Sequence, residues 1–254
     1  MTGATGATVM ADNGQKLRRV ALVTGANKGI GLEIARGLGE RGLTILVGAR
    51  NADAGEAAAR SLREQGIDAA AVQIDVTSEA SIAAAAKAIE SGWGQLDVLV
   101  NNAGISLGKD MPPSATDLGL MRQVYETNVF GVVAVIKAML PLLRQSDAGR
   151  IVNMSTGLAS LALTRPGGPM AFSRLLAYNS SKTALNAVTV QFANELADTP
   201  IKINAANPGL CATNLSQGKG RPPSEGAAVA ISLALLDADG PSGGHFSDSG
   251  AVPW

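Results

Sequence analysis

Short apolar runs alternate with alanine-rich segments along nearly the whole chain, and this alternation narrows the possible folds more than any other feature. Arg19 to Thr24, Leu43 to Val47, Ala70 to Ile74, Leu96 to Val100, Arg150 to Met154 and Ile201 to Ala205 read as strands. Between and after them, Gly31 to Glu40, Ala54 to Gln65, Ser81 to Glu90, about Leu118 to Leu143, Leu176 to Ala197 and Glu225 to Leu236 carry helical spacing. A short strand near His245 closes the pattern. Strand-helix alternation predicts parallel strands joined by crossover helices. Strands that are apolar throughout, without polar alternation, fit burial on both faces. The expected fold is therefore α/β, a single doubly wound parallel sheet of about seven strands with helices on both faces.

No repeat or linker divides the 254 residues. A single catalytic domain over 18–254 is expected, preceded by a flexible tail over 1–17. That tail is small and polar and lacks the apolar core of a secretory signal. No run of 18 apolar residues without charge suggests a membrane span, so a soluble cytoplasmic protein is expected. Basic and acidic residues balance at 21 each, which gives no reason to expect a nucleic acid or an acidic membrane as partner. One cysteine, Cys211, and one histidine, His245, leave no internal disulfide and no ligand cluster for a metal. Two stretches break the regularity, Thr156 to Leu175 and Gly209 to Ser224. Loops this long in a compact domain are functional or disordered.

After the first strand comes Thr24-Gly25-Ala26-Asn27-Lys28-Gly29-Ile30-Gly31. Glycines here permit a tight turn and let backbone approach a pyrophosphate, with the next helix offering its N-terminal amides. This is the Rossmann-type context for a dinucleotide, although an ordinary glycine-rich turn has the same composition. The second strand runs into Val47-Gly48-Ala49-Arg50, with no acid to hold a ribose 2′-hydroxyl. Arg50 can instead pair with a 2′-phosphate, helped by Lys28, so NADPH/NADP+ is the expected cofactor.

Tyr178 and Lys182 stand four apart in Ala177-Tyr178-Asn179-Ser180-Ser181-Lys182. On a helix they share one face, one turn apart. An adjacent ammonium favours phenolate, so the pair is expected to lower the phenol pKa and make Tyr178 a general acid-base near neutral pH.

With these motifs the chain resembles the short-chain dehydrogenase/reductase family. The resemblance rests on Thr24-Gly25, Gly29 and Gly31, Asp75-Val76, Asn101-Asn102-Ala103-Gly104, Asn128, Tyr178 with Lys182, and Asn207-Pro208-Gly209 with Thr213. Through Asn27-Lys28-Gly29, Ala49-Arg50 and the ending Ala251-Val252-Pro253-Trp254 it is most similar to NADPH-dependent carbonyl reductases. The resemblance implies that Gly25, Asn27 to Gly31 (Ile30 included) and Arg50 hold the cofactor's phosphates. Asp75 and Val76 would take the adenine, and Asn102, Ala103 and Gly104 the adenosine ribose. Pro208, Gly209, Cys211 and Thr213 would lie at the nicotinamide carboxamide. It implies catalytic roles for Asn128, Thr156, Tyr178 and Lys182, with Asn128 holding a water beside Lys182 and Lys182 on the nicotinamide ribose. The family's serine falls on Thr156, with Ser155 the alternative if the strand ends one residue early. Cys211 reads as packing and His245 as structural.

The function expected is hydride transfer between NADP(H) and a carbonyl or secondary alcohol on a small molecule, ketone or aldehyde reduction. A non-catalytic NADP(H)-binding sensor, or a reductase of 3-oxoacyl thioesters or sugars, would share the fold. Arg165 and Arg174 are the charged residues a polar substrate would need. The long stretch before Tyr178 carries Leu158, Leu161, Leu163, Pro166, Pro169, Met170 and Phe172 and is expected to form an apolar substrate wall. It leaves a homo-oligomer possible but unsettled.

Overall fold

The computed structural model describes residues 18–254, and the tail expected over 1–17 lies outside them. Strand β1 (Val20–Thr24) leads through the glycine-rich turn to helix α1 (Gly29–Gly39). Then follow β2 (Thr44–Ala49), α2 (Ala52–Glu64), β3 (Ala69–Gln73), α3 (Glu79–Trp93) and β4 (Val98–Asn101). The second half holds α4 (Leu118–Tyr125), α5 (Gly131–Leu143), β5 (Arg150–Met154), α6 (Leu161–Thr164), α7 (Leu176–Glu195), β6 (Lys202–Ala206), α8 (Pro223–Ala234), β7 (His245–Ser247) and β8 (Gly250–Ala251).

The strands form one sheet in the order β3-β2-β1-β4-β5-β6-β7-β8, parallel except for the last pair. The doubly wound α/β fold is thus observed, with eight strands instead of about seven. The extra one is a two-residue antiparallel return, too short to leave any periodicity in the sequence.

Alternate residues of β1 feed opposite faces, as the pleat requires. Ala21 and Val23 pack with Ile34, Leu38, Leu62 and Ala230 under α1, α2 and α8. Val20 and Leu22 pack with Ile89, Val135, Ile136, Met139 and Leu185 under α3, α5 and α7. Strands that face a core on both sides have no polar face to show, which is why they read as continuous apolar runs. Local caps fix the helix starts. Asn51 accepts from the Ala54 amide at α2, Ser78 from Ser81 at α3, and Asp117 from Gly119 and Leu120 at α4.

Two expectations change in detail. The helix expected over Leu118 to Leu143 is interrupted by a π-helical turn, Glu126–Phe130, which carries Asn128. By length and composition the continuous stretch could cross a bilayer, but Val132, Val135, Ile136, Met139, Leu140, Leu142 and Leu143 are buried in the core, as a core helix requires. The segment after β5, expected to be irregular, contains a 3₁₀ turn (Gly157–Ala159) and the short α6. It is tied down on several sides. Arg174 pairs with Asp110 in the loop after β4, the Ala162 amide donates to the Trp254 carbonyl, and Thr183 on α7 donates to the Ala159 carbonyl.

Candidate active site

The glycine-rich turn leaves the carboxyl end of β1. Gly25 and Gly29 have φ of +65° and +58°, a region that side-chain-bearing residues rarely adopt. Gly31 is needed for a different reason. A Cβ there would stand 2.4 Å from Asn102 Nδ2 and 2.6 Å from the Gly25 carbonyl oxygen. Asn102 Nδ2 donates to the carbonyls of Thr24 (2.8 Å) and Gly25 (3.2 Å), so this side chain clamps the turn from β4. Thr24 Oγ1 accepts from the amides of Asn102 and Ala103 at 3.0 Å each. The result is a bare backbone cradle at the start of α1, the shape and polarity that a dinucleotide pyrophosphate requires. The loop after β6 reaches over it, with Thr213 Cγ2 3.5 Å from where a Gly29 Cβ would be.

Arg50, at the carboxyl end of β2, and Lys28, the N-cap of α1, are both exposed, and neither forms an ion pair among the described residues. Asp75 accepts from the amide and hydroxyl of Thr77. The Thr77 amide is the main reason its carboxyl is held below the usual range, with Arg50's charge adding to it. Arg50 and Asp75 therefore occupy one rim of the sheet. Val76 is buried in the core beneath it.

Around the end of β5 the remaining side chains converge. Lys182 is buried, and its Nζ donates to the Met154 carbonyl at 2.7 Å. Gly104 leaves room for it, since a Cβ there would be 3.4 Å from Lys182 Nζ and 3.3 Å from Asn128 Oδ1. Asn128, fully buried, exchanges hydrogen bonds with the Ile105 main chain, Oδ1 accepting from the amide and Nδ2 donating to the carbonyl, both at 2.9 Å. Its Nδ2 also donates to Ser181 on α7. Both Nδ2 hydrogens of Asn128 are thus committed to protein partners, while Oδ1 keeps one lone pair beyond its bond to the Ile105 amide.

The geometry separates the two candidate hydroxyls. Ser155 is buried and donates to Asn186 Oδ1 at 2.6 Å. Thr156 Oγ1 accepts from the Leu158 amide, which leaves its proton uncommitted among the described residues. Successive residues of an extended chain face opposite ways, so only one of the two can face the cleft.

One expectation is corrected. Tyr178 and Lys182 share a helix face, but Lys182 Nζ lies 6.0 Å from the centre of the phenol ring and is hydrogen-bonded elsewhere. Burial pushes the Tyr178 phenol up to about 12, not down. Burial also lowers the Lys182 ammonium to about 8. Desolvation sets the direction here, and the hydrogen bond that the amine makes goes to Met154.

Cys211 lies buried under Gly226, with its thiol donating to the Pro208 carbonyl, as a packing residue would. His245 is buried against the Trp254 ring, 5.5 Å between centroids, and burial pushes its pKa down to about 4. A surface groove of about 430 Å³ on α4 is lined by Leu118, Met121, Arg122, Tyr125, Glu126 and Phe130, and includes none of the converging side chains. Asn186 and Ser181 were not anticipated as parts of the site, and Ser155 was anticipated only as the alternative substrate hydroxyl. Only the neighbourhood of Asn186 and Ser181 to Lys182 in the chain pointed to them.

A doubly wound parallel sheet with a glycine cradle at its first β-α turn defines a dinucleotide-binding fold. Residues 19–223 match the family described as short chain dehydrogenase, and the chain belongs to that family. It is 37% identical over 225 residues to the short-chain dehydrogenase anuI of Penicillium roqueforti, covering 86% of this chain and 88% of that one. Among solved structures it is similar to a gluconate 5-dehydrogenase from Burkholderia cenocepacia in complex with NADP and tartrate, with TM-score 0.80 and 29% identity over 90% and 92% of the two chains. It is also similar to a 3-ketoacyl-(acyl-carrier-protein) reductase from Brucella melitensis complexed with NADH, with TM-score 0.80 and 27% identity over 92% and 98%. The chain is therefore an oxidoreductase of a family that binds NAD(P)(H).

Proposed function

We propose that the protein reduces a ketone or aldehyde with NADPH, reversibly, with Tyr178 as the acid. What supports this is that Lys182 bonds to Met154 two residues before Thr156, with Tyr178 on the same helix face and Asn128 across Gly104, next to the glycine cradle. When bound, NADPH supplies the hydride. Everything else falls to side chains of this chain. A phenol pushed up to about 12 is protonated at neutral pH. That is the form needed to protonate the oxygen of a carbonyl as it gains hydride. Thr156, whose proton is free, donates a second hydrogen bond to the same oxygen. Lys182 keeps donors beyond the one used on Met154, and these would hold the ribose beside the nicotinamide. Asn128, by fixing Ile105 and Ser181, fixes one wall of the cleft.

Preference for NADPH over NADH is supported by Arg50 and Lys28, which form no ion pair among the described residues, and by the lack of a carboxylate at the end of β2 in the sequence. A neutral substrate is supported by the pairing of Arg174 with Asp110, which takes away one cation that an anionic substrate would use. The test is NADPH oxidation over a panel of ketones and aldehydes, with Tyr178→Phe alongside. Loss of turnover in that variant with NADPH binding retained is expected. Normal turnover in the variant, or cofactor binding by the wild type with no turnover on any carbonyl, refutes the reading, and the latter would favour a sensor.

A further inference from the structure

The buried residues of α7 are Ala177, Ser181, Lys182, Leu185, Asn186 and Thr189. Only Ala177 and Leu185 are apolar. A helix that lies on a sheet by apolar contact alone can slide or rotate at low cost, because the hydrophobic effect has no direction. Hydrogen bonds have one. Lys182, Asn186 and Thr189 form a stripe on one face of α7, and Tyr178 is the next member one turn towards the N-terminus. Each of the three reaches the end of β5. Asn153 Nδ2 donates to Thr189 Oγ1 at 2.9 Å, Ser155 Oγ donates to Asn186 Oδ1 at 2.6 Å, and Lys182 Nζ donates to the Met154 carbonyl at 2.7 Å. Asn153 is itself held by Asn101 on β4. The Ser155 amide donates to Ala206 on β6 at 2.7 Å, so its hydroxyl springs from a backbone that cannot move freely.

We propose that Ser155 and Asn186 are a positioning pair, which sets the register of α7 on β5 and thereby the distance from the Tyr178 hydroxyl to Thr156. Of the links in the stripe, this one is adjacent in the chain to Thr156 and two turns from Tyr178. The lysine link uses an amine that other acceptors can recruit. The threonine link lies farther from the site. The inference rests on the assignment of Tyr178 as the acid. It also gives Ser155 a task that excludes substrate contact.

The test uses Ser155→Ala, Asn186→Leu and the double variant. Each single change leaves a buried polar partner unmatched and costs stability, whereas replacing both partners by apolar groups can be nearly neutral. The double variant is therefore expected to melt close to the wild type. Its kcat for ketone reduction is expected to stay about 10- to 100-fold low, as for a small misplacement of a reacting group, with the Kd for NADPH unchanged. If kcat returns together with stability, packing alone sets the register and the proposal is overturned. Tyr178→Phe in the same assay separates the two claims. An active Tyr178→Phe variant removes the functional reading, while an inactive one beside a fully active double variant removes only the positioning pair. A readout independent of turnover is available because the chain has two tyrosines. In a Tyr125→Phe background, ultraviolet titration follows Tyr178 alone. Its phenol is expected to titrate lower in the double variant as the helix loosens, and an identical titration counts against the pair.

Discussion

Gly31→Ala gives the sharpest check on the cradle. The added Cβ would stand 2.4 Å from Asn102 Nδ2 and 2.6 Å from the Gly25 carbonyl oxygen. Ordinary contact begins near 3.5 Å, so both atoms must retreat by about an ångström. Neither can do so alone. Gly25 sits at φ +65° in a tight turn, and Asn102 is bonded to the carbonyls of Thr24 and Gly25. Overpacking costs about 1–3 kcal/mol, and each lost hydrogen bond adds about 1 kcal/mol. Alanine in α1 returns about 1 kcal/mol through helix propensity. The net is a loss of about 1–4 kcal/mol, or several degrees in Tm for a chain of this size. Because the displaced atoms line the cradle proposed for the pyrophosphate, the Kd for NADPH is expected to rise about 10- to 100-fold. Gly92→Ala in α3 is the control, since nothing lies within 4 Å of its Cβ position. It is expected to gain up to about 1 kcal/mol and leave cofactor binding alone. Thermal melting and NADPH fluorescence titration on both variants suffice. A Gly31→Ala protein as stable as the wild type, with unchanged affinity, would show that the turn does not bear on the cofactor.

Further outcomes follow from the same geometry. Tyr178→Phe is expected to lower carbonyl reduction by about 10²- to 10⁴-fold without weakening NADPH binding, as measured by steady-state kinetics and titration. Arg50→Ala is expected to raise the Kd for NADPH by about 10-fold or more through a lost charge-assisted pair and leave NADH unaffected. Equal losses for both cofactors would remove Arg50 from the 2′-phosphate. Lys182, lowered to about 8 in the folded protein, carries an unfavourable charge below that pH. An unfolded lysine keeps its proton to about 10.4, so relative to Lys182→Met the wild type is expected to gain stability between roughly pH 8 and 10. The Tyr178 phenol acts in the opposite sense, because the folded protein holds that proton up to about 12 and loses the benefit as pH rises beyond an unfolded phenol's value. Denaturant melts of the wild type, Lys182→Met and Tyr178→Phe between about pH 8 and 12 check both signs.

The sheet was legible because burial on both faces writes itself into β1 to β6 as apolar runs. The cradle was legible because glycines at positive φ and at close approach have few substitutes. The two-residue β8 and the π turn at Asn128 were not, since neither has a period long enough to see. Thr156 was placed by counting from Gly149-Arg150. The structure adds an observation that a count cannot give, which is that Ser155 donates to Asn186. Asn186 itself carried no signal, because a polar residue on a helix reads as surface unless its partner strand is known.

The Tyr178–Lys182 pair marks the boundary of sequence reasoning. Spacing fixes which side chains share a face, and that part held. It does not fix which acceptor the amine takes, nor how much water either group keeps. Nζ lies 6.0 Å from the centre of the phenol ring with its hydrogen bond on another acceptor, whereas desolvation of a phenol can move its pKa by units. With Nζ on the Met154 carbonyl, burial wins and the phenol keeps its proton. That outcome favours the acid role over the base role. Under the proposed function, the site would be ready to reduce a carbonyl at neutral pH, whereas oxidising an alcohol would first require it to surrender that proton. Alcohol oxidation by this protein should therefore rise steeply with pH while ketone reduction stays flat. Parallel pH profiles in the two directions would contradict that account.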